Sequence, residues 1–422
     1  MPSKASGVVW VAVLLLTGVP QAQQSTFRSG VDLVVLDVQV VDGTGQPRLG
    51  LGPSAFDVRI DGRRRQVVAA DVLRYSSDSA TGPLGAPAAG NSFADSPGTP
   101  GRTFVIAVDS MSLSSGDGAG VVRAAHAFVN GLTPSDRIGV AMLPRGVSLG
   151  PTENHDAAHR ALNQIVGLGA LRPNQFHLSV SEVIDIVAES EQSGLSQMNL
   201  GRGGRGTVAT APGDVLQGVQ TRECPSGQQG CTQGLVLDAA MQVHQMEADL
   251  AESLGGIRRL LALLREYPGR KTVVLISGGM PVNDGPGGWQ HDGDEELALG
   301  RDAALSSSTV YAIYLDSALS RVNSTEHRSP RSVASAARDR QVQQRVLDVF
   351  ASASGGALLT APVDTGEASL RRILRETSTF YTLAVIPDPK DLDGRPHQLK
   401  VNLSPKGLTL RVPRYVVLRR GQ

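Results

Sequence analysis

The chain has 422 residues, 41% hydrophobic and 4% aromatic, and its 40 Lys and Arg are balanced by 40 Asp and Glu. That length predicts two or three domains, with enough apolar residues for a sizeable core. A net charge of zero argues against a nucleic-acid partner, which relies on a basic surface.

Residues 1–24 read as an export signal. Lys4 gives a positive start, and the apolar run 8–17 is too short to span a bilayer as a stable helix. Cleavage near Ala22 is expected, with a retained membrane anchor as the competing reading. No later stretch is long and apolar enough to cross a membrane, so no membrane insertion is expected after cleavage. The mature protein is then expected in the periplasm or outside the cell. The two cysteines, Cys224 and Cys231, bracket the loop CPSGQQGC. In an oxidising compartment they are predicted to join.

Residues 30–75 are β in character. Strands are predicted over 31–41 (VDLVVLDVQVV), 56–60 (FDVRI) and 66–73, with Asp42-Gly43 and Asp61-Gly62 as turns. Residues 76–101 are rich in Gly, Ser, Ala and Pro and read as a flexible linker. From residue 103 the pattern changes to alternating strands and helices. The run 104–108 (FVIAV) is unbroken and apolar, as in a strand buried on both faces of a parallel sheet. Asp109 follows, where such a strand emerges at its carboxyl end. Ser110, Ser112 and Ser114 then alternate with Met111 and Leu113. In open α/β sheets ligands sit outside the carboxyl ends of the strands, so these four residues are the candidate binding residues.

Further along, helices are predicted over 121–132, 155–166 with Asn154 as N-cap, 180–190, 294–306, 342–353 and 367–377. A long helical stretch over 235–266 has a potential break at Gly255-Gly256. Strands are predicted over 137–143, 147–149 at an edge, 272–276, 310–315 and 357–360. Residues 171–233 interrupt the rhythm and read as an irregular insert. The span 102–378 is therefore expected to be an α/β domain with a doubly wound, mostly parallel sheet. Residues 379–422 return to β, with strands over 381–386, 397–403, 408–412 and 415–418. Each flanking β half is too small to bury its own apolar face, so the two are expected to form one small sandwich, with the α/β domain inserted between them.

The segments TFVIAVDSMSLSS, AAHAFVNGLTPSDRIGVAML and GRKTVVLISGGMPV resemble successive parts of a von Willebrand factor type A (VWA) domain. Both flanking β segments resemble those of VWFA-related exported proteins of acidobacterial type. The resemblance implies a Rossmann-type fold that binds other proteins or mediates adhesion through loops at the carboxyl end of the sheet, here 109–117 and 278–294. It also implies a divalent metal held by Asp-x-Ser-x-Ser, a Thr and a second Asp. Asp109 matches the first position. Met111 and Leu113 stand at the two Ser positions, and Gly278 stands where the second Asp is expected. A hard cation needs several oxygens, so a degenerate site with no cofactor is expected. The alternative is a Mg²⁺- or Ca²⁺-dependent adhesion module in which a bulge brings Ser110 and Ser112 beside Asp109.

An enzyme is not expected, and no catalytic residues are assigned. In the segment HDAAH, His155 and His159 lie one helical turn apart, the basis for a zinc-hydrolase alternative. Asp156 replaces the Glu such a site uses, and no third ligand is evident. The glycines at 201, 203 and 206 match a dinucleotide fingerprint without its strand and helix. Gly269-Arg270-Lys271 precedes a strand, the wrong side for a phosphate loop. The acidic run 291–296 reads as a helix start, with a Ca²⁺-binding loop as the sharper alternative.

Overall fold

The computed structural model describes residues 33–75, 101–114, 116, 118–169, 174–192, 214–224, 230–283, 294–316, 333–362 and 366–419. The export signal, nearly all of the linker, the glycine triplet at 201–206, residues 115 and 117 of the 109–117 loop, and residues 284–293 of the 278–294 loop with the start of the acidic run lie outside the described residues.

The chain opens with β1 (Val34–Val41), β2 (Phe56–Ile60) and β3 (Arg63–Arg74). Asp61 and Gly62 take positive φ in the tight β2–β3 turn, as an Asp-Gly pair favours. The chain then enters the parallel unit at β4 (Thr103–Asp109). Helix α1 (Gly118–Asn130), β5 (Arg137–Leu143), edge strand β6 (Ser148–Thr152) and α2 (His155–Leu162) follow. Asn154 caps α2, its side chain accepting from the Ala157 N–H at 3.0 Å.

Next come α3 (Val180–Gln192), α4 (Asp214–Glu223) and α5 (Cys231–Leu264). Strand β7 (Lys271–Ser277), α6 (Asp294–Leu305), β8 (Ser308–Asp316), α7 (Val333–Ala353), β9 (Leu358–Pro362) and α8 (Glu367–Glu376) complete this unit. The chain ends in β10 (Thr379–Ile386), β11 (Asp393–Leu403), β12 (Thr409–Arg411) and β13 (Tyr415–Arg419).

The inner sheet runs β6-β5-β4-β7-β8-β9, parallel except for the antiparallel edge β6. Alternation along β4 splits its side chains between two cores. Phe104, Ile106 and Val108 pack with α1, α2 and α8; Val105 and Ala107 pack with α5, α6 and α7. The expected doubly wound α/β sheet is present, and β4 is central in it. The order reverses between β4 and β7, so the topological switch point lies between Asp109 and Ser277.

The N- and C-terminal strands meet, as expected. Val35 pairs with Ala384 and Val38 with Tyr381. They form one continuous antiparallel sheet, β12-β1-β10-β3-β2-β11-β13, instead of the two stacked sheets of a sandwich. The sheet curls, so Val34 and Leu36 near one end share a core with Val401 and Leu418 near the other. One curled sheet hides the apolar face of both halves without a second layer.

The insert differs more from expectation. Helices α3 and α4 and the first half of α5 enclose their own core of Ile184, Ile186, Leu216, Val219, Leu235 and Val243. The predicted disulfide, Cys224–Cys231, is present and ties the end of α4 to the start of α5. Helix α5 has 34 residues, about 51 Å at 1.5 Å per residue. The seven residues of β7 span only about 23 Å. Because α5 ends where β7 begins, its first half projects past the carboxyl end of the sheet. Gly255 and Gly256 do not break it. A Cβ on Gly256 would lie 2.9 Å from Pro144 Cα, so the glycine lets helix and sheet approach closely. Helix α7 begins at Val333, well before residue 342, because Ala334, Ala336 and Ala337 are strong helix formers.

Candidate functional site

At the switch point the carboxyl ends of β4 and β7 are joined by a closed hydroxyl network. Asp109 is 1% exposed. Its Oδ1 accepts from Ser253 Oγ at 2.8 Å and its Oδ2 from Ser277 Oγ at 2.8 Å. Ser253 comes from α5, about one turn before Gly256, where the helix closely approaches the sheet. Residues 110–112 form a single 3₁₀ turn. This turn brings Ser112 Oγ to the Asp109 carbonyl at 2.8 Å and within 3.1 Å of Ser277 Oγ. The Gly278 N–H donates to Ser112 Oγ at 2.8 Å.

Of the four candidate residues, the structure brings Asp109 and Ser112 together. Ser110 turns away and donates to the Leu143 carbonyl at 2.6 Å. Ser114 is half-buried beyond the turn. Asp109 and Ser110 are buried, so neither offers a side chain to a macromolecular partner, which corrects their expected role as contact residues. The physical reason is the strap at 167–169. The Leu168 N–H donates to the Ser110 carbonyl and the Gly169 N–H to the Leu113 carbonyl, both at 2.8 Å, and hold the turn down on the sheet.

Ser253 and Ser277 were not among the expected site residues. Ser277 carried a signal, since it ends an apolar strand run next to β4. Ser253 carried none, because a serine inside a long helix reads as a solvated position.

Burial pushes the Asp109 carboxyl above its ordinary value, while the hydroxyls of Ser253 and Ser277 pull it back only in part. The donor set does not fit Mg²⁺ or Ca²⁺, which need several oxygens around an accessible centre. One carboxylate is present, and both its oxygens are occupied by hydroxyls. A Cβ at Gly278, where a second carboxylate is expected, would stand 2.3 Å from the Ser112 carbonyl oxygen. The 3₁₀ turn thus does bring Ser112 beside Asp109, but as a plug and not as a ligand cage.

The HDAAH imidazoles do not converge. His155 Nε2 meets the Asp136 carbonyl at 2.8 Å, whereas His159 Nδ1 meets His126 Nδ1 on α1 at 2.6 Å. Their ring centroids are 4.8 Å apart and the ring planes lie 20° from parallel. Burial and the neighbouring His126 lower the His159 pKa. This is a helix–helix contact without the hydrolytic triad, a correction to the zinc-hydrolase alternative. Among the described residues, no group of three or more His, Cys, Asp or Glu is arranged to hold a metal ion. No described helix is long and apolar enough to cross a membrane. Lys271 starts β7 buried, its Nζ donating to the Leu264 carbonyl at the end of α5 and to the Tyr267 carbonyl just beyond it.

What lies open at this end is a groove of about 320 Å³ between α5 and the loops, lined by Met111, Pro144, Arg145, Leu168, Gln245 and Glu252 among others. Leu237 and Met241 continue the same face of α5 and are 58% and 65% exposed. Their spacings from Gln245 are eight and four residues, so all three project from one side of the helix.

Fold and site together define a doubly wound α/β unit whose switch point is closed by hydroxyls. No protein-family model matches the chain, and no curated protein does. Among solved structures, an aerotolerance-related membrane protein from Bacteroides fragilis aligns with 65% of this chain and 98% of its own, at 12% identity and a TM-score of 0.29. The protein BatB from Bacteroides thetaiotaomicron aligns over 66% and 99%, at 13% identity and a TM-score of 0.29. Proximal thread matrix protein 1 from the mussel byssus aligns over 65% and 47%, at 11% identity and a TM-score of 0.27. The fold assignment rests on the strand order and helix placement given above.

Proposed function

We propose that this chain is an exported, VWA-like protein-binding module that works without an ion at Asp109 and without catalysis. The observation that carries the reading is the contrast at the carboxyl end of the sheet. The polar cluster that would hold an ion is satisfied internally and buried, while beside it an apolar groove is open and extended by Leu237 and Met241. Exposed apolar surface next to a charged rim is how soluble proteins engage partners. Here the rim is Arg145, paired with Glu252 at 3.1 Å. Export is supported by the charged start with its short apolar run, and by a disulfide that needs an oxidising compartment. Adhesion is the setting in which this activity is proposed to serve.

The test uses the mature protein and its Leu168→Glu and Met241→Glu variants. Envelope components cross-linked to each are identified, and melting temperatures are compared. The reading expects a defined partner on the wild type that both variants lose, with melting temperatures unchanged. A partner retained by both variants, or loss that only tracks a fall in melting temperature, contradicts it.

A further inference from the structure

The curled sheet and the parallel-sheet unit meet along a seam that contains a cavity of about 410 Å³. Among the described residues, β12 pairs with β1 only at Gln39, Val40 and Val41, and no strand pairs with that edge of the first half of β1. The cavity wraps around this edge. The curl brings β13 to the same space, and the turns at 269–270, 307–309 and 354–355 close it from the other unit.

Two sets of side chains line it. Val34, Leu36, Leu399 and Leu418 give an apolar surface. Gln39, Arg270 and Arg411 give a polar one. Among the described residues, Gln39 Nε2 and Arg270 Nη1 are buried N–H groups with no hydrogen-bond acceptor, and Arg411 Nε has only the longer ion-pair contact to Glu376 Oε2 at 3.5 Å. These three are neighbours by construction. Gln39 and Arg411 are direct cross-strand partners, so their side chains stand side by side. Asp37 lies two residues before Gln39 on the same face of β1, and its Oδ2 receives Arg270 at 2.6 Å. Gln39 is 3% exposed, and its Oε1 accepts from Tyr311 Oη at 2.8 Å. Arg270 lies 3.7 Å over the Phe380 ring.

Buried donors are almost always paired, so two open donors beside a third with only a long contact call for acceptors that the described residues do not supply. The charges agree. Arg270 faces Asp37, while Arg372 and Arg411 both face Glu376, at 2.8 and 3.5 Å. Three guanidiniums against two carboxylates leave one positive charge. Mixed apolar and polar lining at the junction of two units is also where small-molecule sites concentrate.

We propose that this cavity binds a small monocarboxylate with an apolar body, its carboxylate accepting from Gln39, Arg411 and Arg270 and its hydrocarbon lying along Val34, Leu36, Leu399 and Leu418. The site is at the opposite side of the parallel unit from the groove and stands or falls independently of it.

Octanoate is the probe, titrated into the full mature chain by calorimetry and by thermal shift, with octanol as the uncharged control. The expected result is one octanoate per chain and binding at least about tenfold weaker for octanol, which lacks the charge-assisted bonds. Gln39→Leu keeps the volume and removes the amide. Arg411→Met removes the guanidinium while Arg372 still covers Glu376. Each is expected to weaken octanoate about tenfold or more. The comparison of octanoate with octanol on the wild type decides even if a variant fails to fold. No octanoate binding up to about 10 mM, equal affinity for octanol, or unchanged affinity in two folded variants would overturn the proposal and leave the donors to water.

Discussion

Asp109→Asn is the substitution that reads the plugged switch point most informatively. The carboxyl is fully buried, with one hydroxyl on each oxygen, and burial raises its pKa above the ordinary 3.8. A raised carboxyl means that the folded chain holds its proton to higher pH than the unfolded chain. Its contribution to stability is therefore fully present below about pH 3.8 and is lost as pH rises through the folded value. Asn has the same shape and never ionises. It keeps one acceptor, and Ser277 can redirect its proton to Ser112 Oγ at 3.1 Å. Near pH 3 the variant should be less stable by roughly 1 kcal/mol, one rearranged hydrogen bond. As pH rises the difference should move in the variant's favour, by about 1.4 kcal/mol for each unit of the Asp109 shift. Urea unfolding midpoints of both proteins between about pH 3 and pH 8 measure this. If the wild type instead gains on the variant as pH rises, Asp109 is held as a carboxylate by charge-stabilising partners, and the burial argument fails.

Three further outcomes follow from other parts of the fold. Gly278→Ala should destabilise by about 1–3 kcal/mol, because its Cβ would stand 2.3 Å from the Ser112 carbonyl oxygen; thermal unfolding reads it, and a neutral result would mean that the 110–112 turn can lift. His397 bridges Asp61 and Asp393 at 2.8 and 2.9 Å. Burial alone would lower its pKa, but the two carboxylates raise it, and hydrogen bonds lower Asp61 and Asp393. The imidazole's contribution is present below 6.5 and lost as pH rises through its folded value; the carboxylates' is present above 3.8 and lost on acidification. The clasp should be strongest between those values, and His397→Gln should flatten the pH profile of unfolding there. Replacing Cys224 and Cys231 by Ser should cost about 2 kcal/mol through the reopened loop. Hydrogen exchange should rise in α3, α4 and the first half of α5, while β4 and β7 stay protected.

The parallel unit was legible because its strands are unbroken apolar runs, such as residues 104–108 and 272–276, which have no other stable place than a doubly covered sheet. The union of the two β ends was legible from burial alone: neither half could hide its apolar face. Its curl was not, since curvature depends on twist and register, as in the shift between Ala384 and Val385, which no residue pattern announces. Helix α4 was missed because its apolar residues are few, Leu216 and Val219 being its buried ones. The site was half legible. Asp109 marks itself by its place after a buried strand. What it does there depends on Ser253, 144 positions away, and on Gly278, whose missing side chain leaves room for a backbone carbonyl.

Calorimetric titration of the mature protein with Mg²⁺, Mn²⁺ and Ca²⁺ tests the central claim that the carboxyl end of the sheet is closed by its own hydroxyls. The account predicts no binding tighter than about millimolar, in wild type and Asp109→Ala alike. Tighter binding to the wild type that disappears in Asp109→Ala would show that the turn opens to make an ion site, and would contradict it.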